Sequence, residues 1–324
     1  MAAAPSSRSA SKAHPALARV AYLGGAVLGA ALLVATWAKA IDPAAFAQQI
    51  RAEGLEILLP ASLIALLALA LEAGLGVALL ANLRRPAILV PATLLVLFFV
   101  FLTGRSWWRA EHGLADPSGG CGCFGNLVER TPREAFLQDV AMLVPGIALA
   151  WLARPRFARF PRGRALAAGG AALAAALVGW RAPALPLDDL ATRLKPGVRL
   201  AEICAGRDAE RVCLTHLAPA LAEGRQLVVL ADIRDPGFDA LAARLNAYAQ
   251  PSSEPPLTLL ADMTVEEQRA LFWRVAPAFD LHEAPAAMLR PLYRALPRSF
   301  LVDGGVVVAT YAGLPPQVTG AARP

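Results

Sequence analysis

Five stretches of this chain run for at least 16 residues with no more than one charge: Val20–Ala38, Ile57–Leu83, Pro86–Gly104, Ala135–Ala153 and Ala165–Trp180. A helix that crosses the hydrocarbon of a bilayer needs about 20 mostly apolar residues. Nothing else in the sequence limits the fold so strongly. In the 324-residue chain 56% of residues are hydrophobic and 17% charged, with mean hydropathy +0.48. That is too apolar for an ordinary soluble domain. The expectation is a membrane bundle of four spans with a fifth, shorter Ala/Gly-rich span, placing the chain in the lipid bilayer. The first run also resembles a signal peptide, with Ala38-Lys39-Ala40 as a cleavage site. Its apolar core is longer than such peptides carry, so an uncleaved span is preferred.

The net charge of +6 does not point to nucleic acid. Residues 1–180 carry 16 Lys and Arg against 9 Asp and Glu, and residues 181–324 carry 15 against 16. The surplus therefore flanks the apolar runs, as topology signals do. With the N-terminus in the cytoplasm, ten Lys and Arg fall in inside segments and six outside, Lys39 among the six. The basic loop Arg154–Arg164 is the strongest single vote. This orientation puts the loop around Cys121 and Cys123 outside, and likewise everything after Trp180. Both cysteine pairs would share one oxidising compartment.

After Pro183 charges return and short apolar runs alternate with helical patterns. Strands are expected at Val198–Cys204, Gln226–Ile233, Leu257–Leu260, Arg298–Val302 and Val306–Tyr311, and helices at Ala209–Leu221, Phe238–Tyr248 and Val265–Val275. The near-continuous apolar run at 226–233 reads as a parallel strand covered on both faces. The order, ending in a hairpin around Asp303-Gly304-Gly305, resembles the thioredoxin fold. That resemblance makes Pro297 the candidate cis-proline. It also asks for a Cys-x-x-Cys at the start of the first helix, which is absent; only Cys213-Leu-Thr-His-Leu-Ala-Pro matches the stretch after such a motif. The domain reading is a tail over 1–16, a membrane domain over 17–153, a basic loop and fifth span over 154–182, an α/β domain over 183–314 and a tail over 315–324.

The densest chemical signal is Cys121-Gly122-Cys123-Phe124-Gly125. Two thiols around one glycine can close a small ring. Redox exchange, a static disulfide and half of a metal site all fit; His112 is the one further ligand nearby, too few for zinc. Glu72 lies near the middle of the second span, where an ionisable group is costly and usually functional, although a protonated packing role also fits. Asp139, towards the end of the fourth span, suits a helix cap, an arginine partner or function. Arg105, Trp107, Trp108 and Arg109 read as an interfacial anchor. Cys204 and Cys213 fit a structural disulfide, a redox pair or free thiols, with His216 one turn from Cys213.

Four spans, a mid-span Glu72 and the string Cys121–Gly125 before the fourth span resemble the DoxX-like membrane proteins, and within them the methylamine-utilisation MauE family. The resemblance covers roughly residues 17–153. It implies a membrane protein that assists maturation of a periplasmic, disulfide-rich client, as for the small subunit of methylamine dehydrogenase. Carried over by position, Cys121, Cys123 and Glu72 are the functional residues, with Asp139 behind them. The expectation is thus a multi-pass protein of a bacterial inner membrane, with a periplasmic C-terminal domain and thiol–disulfide exchange as its work. A membrane quinone as electron acceptor has no motif to support it. A non-catalytic assembly or transport scaffold, and a conductor using Glu72, are the alternatives.

The charge pattern makes a direct prediction. A reporter active only outside the cytoplasm should be active when fused after Pro183 or within Asp116–Gly120, and silent near Arg159. Activity near Arg159 with silence after Pro183 would invert the orientation.

Overall fold

In the computed structural model, residues 15–114, 131–152, 161–206, 211–249 and 255–316 are described. The chain divides into two compact units, a helical one up to Trp180 and an α/β one from Arg181 onward. The helical unit contains α1 (Pro15–Ile41), α2 (Pro43–Ala52), α3 (Ala61–Leu80), α4 (Pro86–Glu111), α5 (Pro132–Leu152) and α6 (Arg162–Arg181). All of these except α2 are long and apolar enough to cross a membrane. The short α2 was not anticipated; its buried residues Pro43, Ala47 and Ile50 recur at helical spacing.

Neighbouring spans run antiparallel, as their close contacts show. A Cβ on Gly29 would lie 2.7 Å from the Gly76 carbonyl oxygen, and one on Gly24 would lie 2.7 Å from Leu149. Phe136 of α5 packs on Gly104 and Trp107 of α4, and Trp151 donates to Thr93 Oγ1 at 2.9 Å. Gly74 and Gly179 face Ala172 and Leu69 across α3 and α6. Lipid is as apolar as leucine, so close backbone approach at small residues holds such helices together. Large side chains point outward instead: Trp37, Leu94 and Phe101 are each more than 60% exposed. The alternation brings the ends of α1, α4 and α6 to one end of the bundle.

The α/β unit is built on the strands β3 (Arg225–Leu230), β4 (Leu257–Ala261), β5 (Asp280–Glu283), β6 (Arg298–Asp303) and β7 (Val306–Tyr311), preceded by the two-residue β1 (Cys204–Ala205) and β2 (Val212–Cys213). The large sheet has the order β5-β4-β3-β6-β7, with β3, β4 and β5 parallel and β6 and β7 antiparallel. Side chains alternate across a strand. Leu227 and Val229 therefore join Phe238 and Leu245 of α7 (Phe238–Tyr248) and Leu271 of α8 (Val265–Val275) on one face. Val228 and Leu230 join Leu200, Leu214, Leu292 and Phe300 on the other. Both faces are covered, which is why the sequence of β3 reads as an unbroken apolar run. The edge strand β5 was not anticipated.

Two elements differ from expectation. The expected strand at 198–204 is a 3-10 turn, Leu200–Glu202, because Leu200 and Ile203 reach the same core and residues three apart eclipse in that helix. The expected helix at 209–221 shrinks to Leu214–Leu217. Cys213 is held extended by its pairing with Cys204, and Ala218, ahead of Pro219, leaves the helical region at φ −132°, ψ 78°. Residues 207–210 lie outside the described ones.

Arg298 is the largest fully buried side chain. Its Nη1 donates to Thr192 Oγ1 at 2.7 Å and the Leu292 carbonyl at 3.0 Å, and Asp188 and Asp189 lie 3.7 and 3.8 Å away. Arg294 donates to the carbonyls of Ala182 and Leu185. These two arginines bind residues 182–194, the start of the unit, to the approach of β6.

The α1–α3 contact gives a test. Gly29→Ala should lower the stability of the membrane unit by about 1–3 kcal/mol, the usual cost of overpacking, because its Cβ meets backbone. Gly170→Ala on α6 meets nothing within 4 Å and should not destabilise. Thermal unfolding of the two variants in nanodiscs separates these outcomes.

Candidate functional site

Inside the helical unit the buried polar side chains gather towards one end, except Arg84, which sits by Tyr22 and Gly25 near the start of α1. The inward face of α1 carries Leu28, Leu32, Ala35, Thr36 and Lys39, and that of α3 carries Ala65, Leu69, Glu72 and Gly76. Lys39 is 2% exposed and Glu72 0%, and Lys39 Nζ lies 2.5 Å from Glu72 Oε1. The pairing follows from helix geometry. Every Cα–Cβ bond tilts towards its own helix N-terminus, so on antiparallel helices the two long side chains lean towards each other. Lys39 Nζ also lies 4.8 Å from the centre of the Phe99 ring of α4, a cation–π contact.

Asp139 completes the layer from α5. It is 2% exposed, on the stripe that also carries Ala135, Leu143 and Gly146. It stands one turn from Phe136, which packs on Gly104, and so at the height of the buried Thr103 of α4. Thr103 Oγ1 donates to the Phe99 carbonyl at 2.9 Å, and Ser106 is buried one turn further along. Four helices thus bring a cation, two carboxyls and the Thr103 hydroxyl close to one depth, with the Ser106 hydroxyl a turn beyond. The second oxygen of Glu72, Oε2, is buried with no hydrogen-bond partner.

Two expectations change here. Lys39 is not a loop residue and casts no topology vote, because α1 continues to Ile41 and carries it inside. Asp139 does not cap its helix: Thr131 and Glu134 form the capping box of α5, with Thr131 N–H donating to Glu134 at 2.8 Å. Arg105 pairs with Glu53 at 2.6 Å, and Trp107 donates to Glu111. Cys121 and Cys123 lie outside the described residues. Lys39 was missed as a site residue, yet it falls on the same stripe as Leu28, Leu32 and Ala35, and that spacing is visible in the sequence.

In the α/β unit, Cys204 and Cys213 are disulfide-bonded and directly opposite each other in the β1–β2 ladder. His216 is exposed, and its Nδ1 accepts the Cys213 backbone N–H at 3.4 Å. The Leu296–Pro297 bond is cis. The helix after the central strand β3 is α7, and the turn leading to it, Ala231–Gly237, contains no cysteine. Cys213 precedes β3, so the stretch from Cys213 to Pro219 does not form the turn that follows the central strand. At that turn a cavity of about 140 Å³ is lined by Asp232, Asp262, Arg290, Tyr293 and Leu296. Beside it Arg234 grips Glu267 through two hydrogen bonds of 2.7 and 2.8 Å. These bonds, with the Thr264 N–H, hold the Glu267 carboxyl down at about 2. No group of three or more His, Cys, Asp or Glu suited to a metal occurs among the described residues.

Residues 17–152 match the family described as methylamine utilisation protein MauE. The match begins within α1 and ends at the last residue of α5, so it contains the whole buried layer and excludes α6 and the α/β unit. No curated protein matches the chain.

The buried pair makes a stability prediction. Removing one partner of a buried ion pair strands the other and costs about 3–5 kcal/mol, whereas apolar replacement of both is often neutral or stabilising. Lys39→Met and Glu72→Leu should each destabilise the protein by that amount, and the double variant should recover. A double variant that loses the sum of the two single losses, read by thermal unfolding in nanodiscs, would show that the pair is not coupled.

Proposed function

We propose that this protein is a multi-pass membrane thiol–disulfide exchanger that assists maturation of exported proteins, as the name of the matching family suggests for methylamine utilisation. The observation that carries this reading is the extent of the family match. It spans the Cys121-Gly122-Cys123 string together with Glu72, Lys39 and Asp139 in a single segment.

In this reading Cys121 and Cys123 are the exchanging pair. A thiolate attacks one sulfur of a disulfide, forms a mixed disulfide and expels the other sulfur as thiolate; one S–S bond forms for each one broken, and two electrons change hands. The antiparallel alternation of the spans supports a shared compartment for both cysteine pairs. The ends of α4 and α6 lie at the same end of the bundle, and the charge pattern favours reading that end as the periplasmic side of an inner membrane.

The α/β unit is read as thioredoxin-like without its usual active site. A central strand with one parallel and one antiparallel neighbour, a cis-proline candidate at Pro297 before β6 and a closing β6–β7 hairpin support that descent. The disulfide closes a short hairpin outside the active-site turn, which favours a structural role for Cys204 and Cys213. The client's contact with the unit is then non-covalent, or is made by the membrane cysteines.

Trapping the thiols in cells tests this. Cys121 and Cys123 should be found partly reduced and readily reduced by mild dithiol, while Cys204 and Cys213 stay oxidised. Cys123→Ser should trap Cys121 in a mixed disulfide. If Cys121 and Cys123 stay locked under strong reductant, and the variant with both replaced by serine still matures its clients, the exchange reading fails and a scaffold takes its place.

A further inference from the structure

We propose that the Lys39–Glu72 pair is a proton site, in which the ammonium of Lys39 sets whether Glu72 carries a proton and Glu72 Oε2 is the atom that receives it. Glu72 is 0% exposed, its Oε1 is taken by Lys39 at 2.5 Å, and its Oε2 meets no donor. A buried acceptor without a donor is costly, and so is a charged side chain at membrane depth. The pair is also not needed to fill space, because apolar residues of similar size do so at no greater cost. A proton on Oε2 is the smallest change that relieves an unpaired carboxylate once the cation is lost or drawn away.

The surroundings focus this exchange on Glu72. From α1 the layer receives the charge of Lys39, and from α5 the carboxyl of Asp139. From α4 it receives Phe99, Thr103 and Ser106, which carry no charge. Thr103 spends its hydroxyl proton on the Phe99 carbonyl, so α4 offers Glu72 neither a counter-charge nor that donor. Lys39 is therefore a positioning residue whose charge, rather than its bulk, is what Glu72 responds to. Reducing a disulfide to two thiols takes up two electrons and two protons. On the exchange reading above, Glu72 is a buried group able to hold one of those protons.

Infrared spectra of the full-length protein in nanodiscs read the pair directly, whatever the cysteines do. At neutral pH the wild type should lack a protonated-carboxyl band from Glu72. Lys39→Met should gain one such band per chain, and Lys39→Met with Glu72→Gln should lose it again. Lys39→Arg, which keeps the charge, should stay like the wild type. Should Lys39→Met fail to insert, Lys39→Gln carries the same comparison. Three results would overturn the proposal: a wild-type band that Glu72→Gln removes, no gained band when the charge of Lys39 is lost, or a gained band that survives Glu72→Gln and so belongs to Asp139. The alkylation state of Cys121 and Cys123 in the same samples reports separately on the thiol reading.

Discussion

The absence of water inside a bilayer governs the helical unit. Each polar group buried there has only protein to answer it. Lys39 and Glu72 answer each other across α1 and α3, and the rest of the bundle is arranged so that they can. Gly29 and Gly76 let the two backbones approach, and the antiparallel course of the helices turns the two side chains inward along the axis. Phe99 covers the ammonium with its ring face. The same dryness explains the inverted look of the spans, with small residues and charges inside and large apolar residues facing out.

The α/β unit obeys the opposite rule. Its core is made by the hydrophobic effect, with β3 buried from both sides, and the buried Arg298 serves to stitch chain segments together. Arg298 at the start of β6 and Arg294 just before it bind carbonyls and carboxylates of residues 182–194. The segment that leaves the last span is therefore part of the folded unit and not a passive connector.

The spans, the central strand and the closing hairpin were legible in the sequence because their signals are long or repeat: runs of about 20 apolar residues, a bare apolar run between turn residues, and Gly-Gly between two alternating strands. Glu72 was legible because a charge stands out in such a run. Lys39 was not, because it lies one residue beyond the uncharged stretch and was counted as a loop residue. Only the i, i+4, i+7 stripe from Leu28 joins it to the interior. The 200–221 region misled for a different reason. Propensity there favours a strand and then a helix, but the pairing of Cys204 with Cys213 and the proline at 219 decide the backbone. Such long-range ties are invisible to local pattern. The edge strand β5 carries Asp280, His282 and Glu283, a composition that gives no strand signal on its own.

The Lys39–Glu72 contact also fixes how far α1 and α3 slide along one another. The leucines and alanines of the two faces are alike along their length, so the Gly29–Gly76 approach and the charged pair are what mark one axial position. A shift of one turn, about 5.4 Å, would break that approach and part Glu72 from its cation. The pair thus acts as a detent. Together with the glycine contact it selects one axial setting, and with it the height at which the connections of the bundle meet the membrane surface.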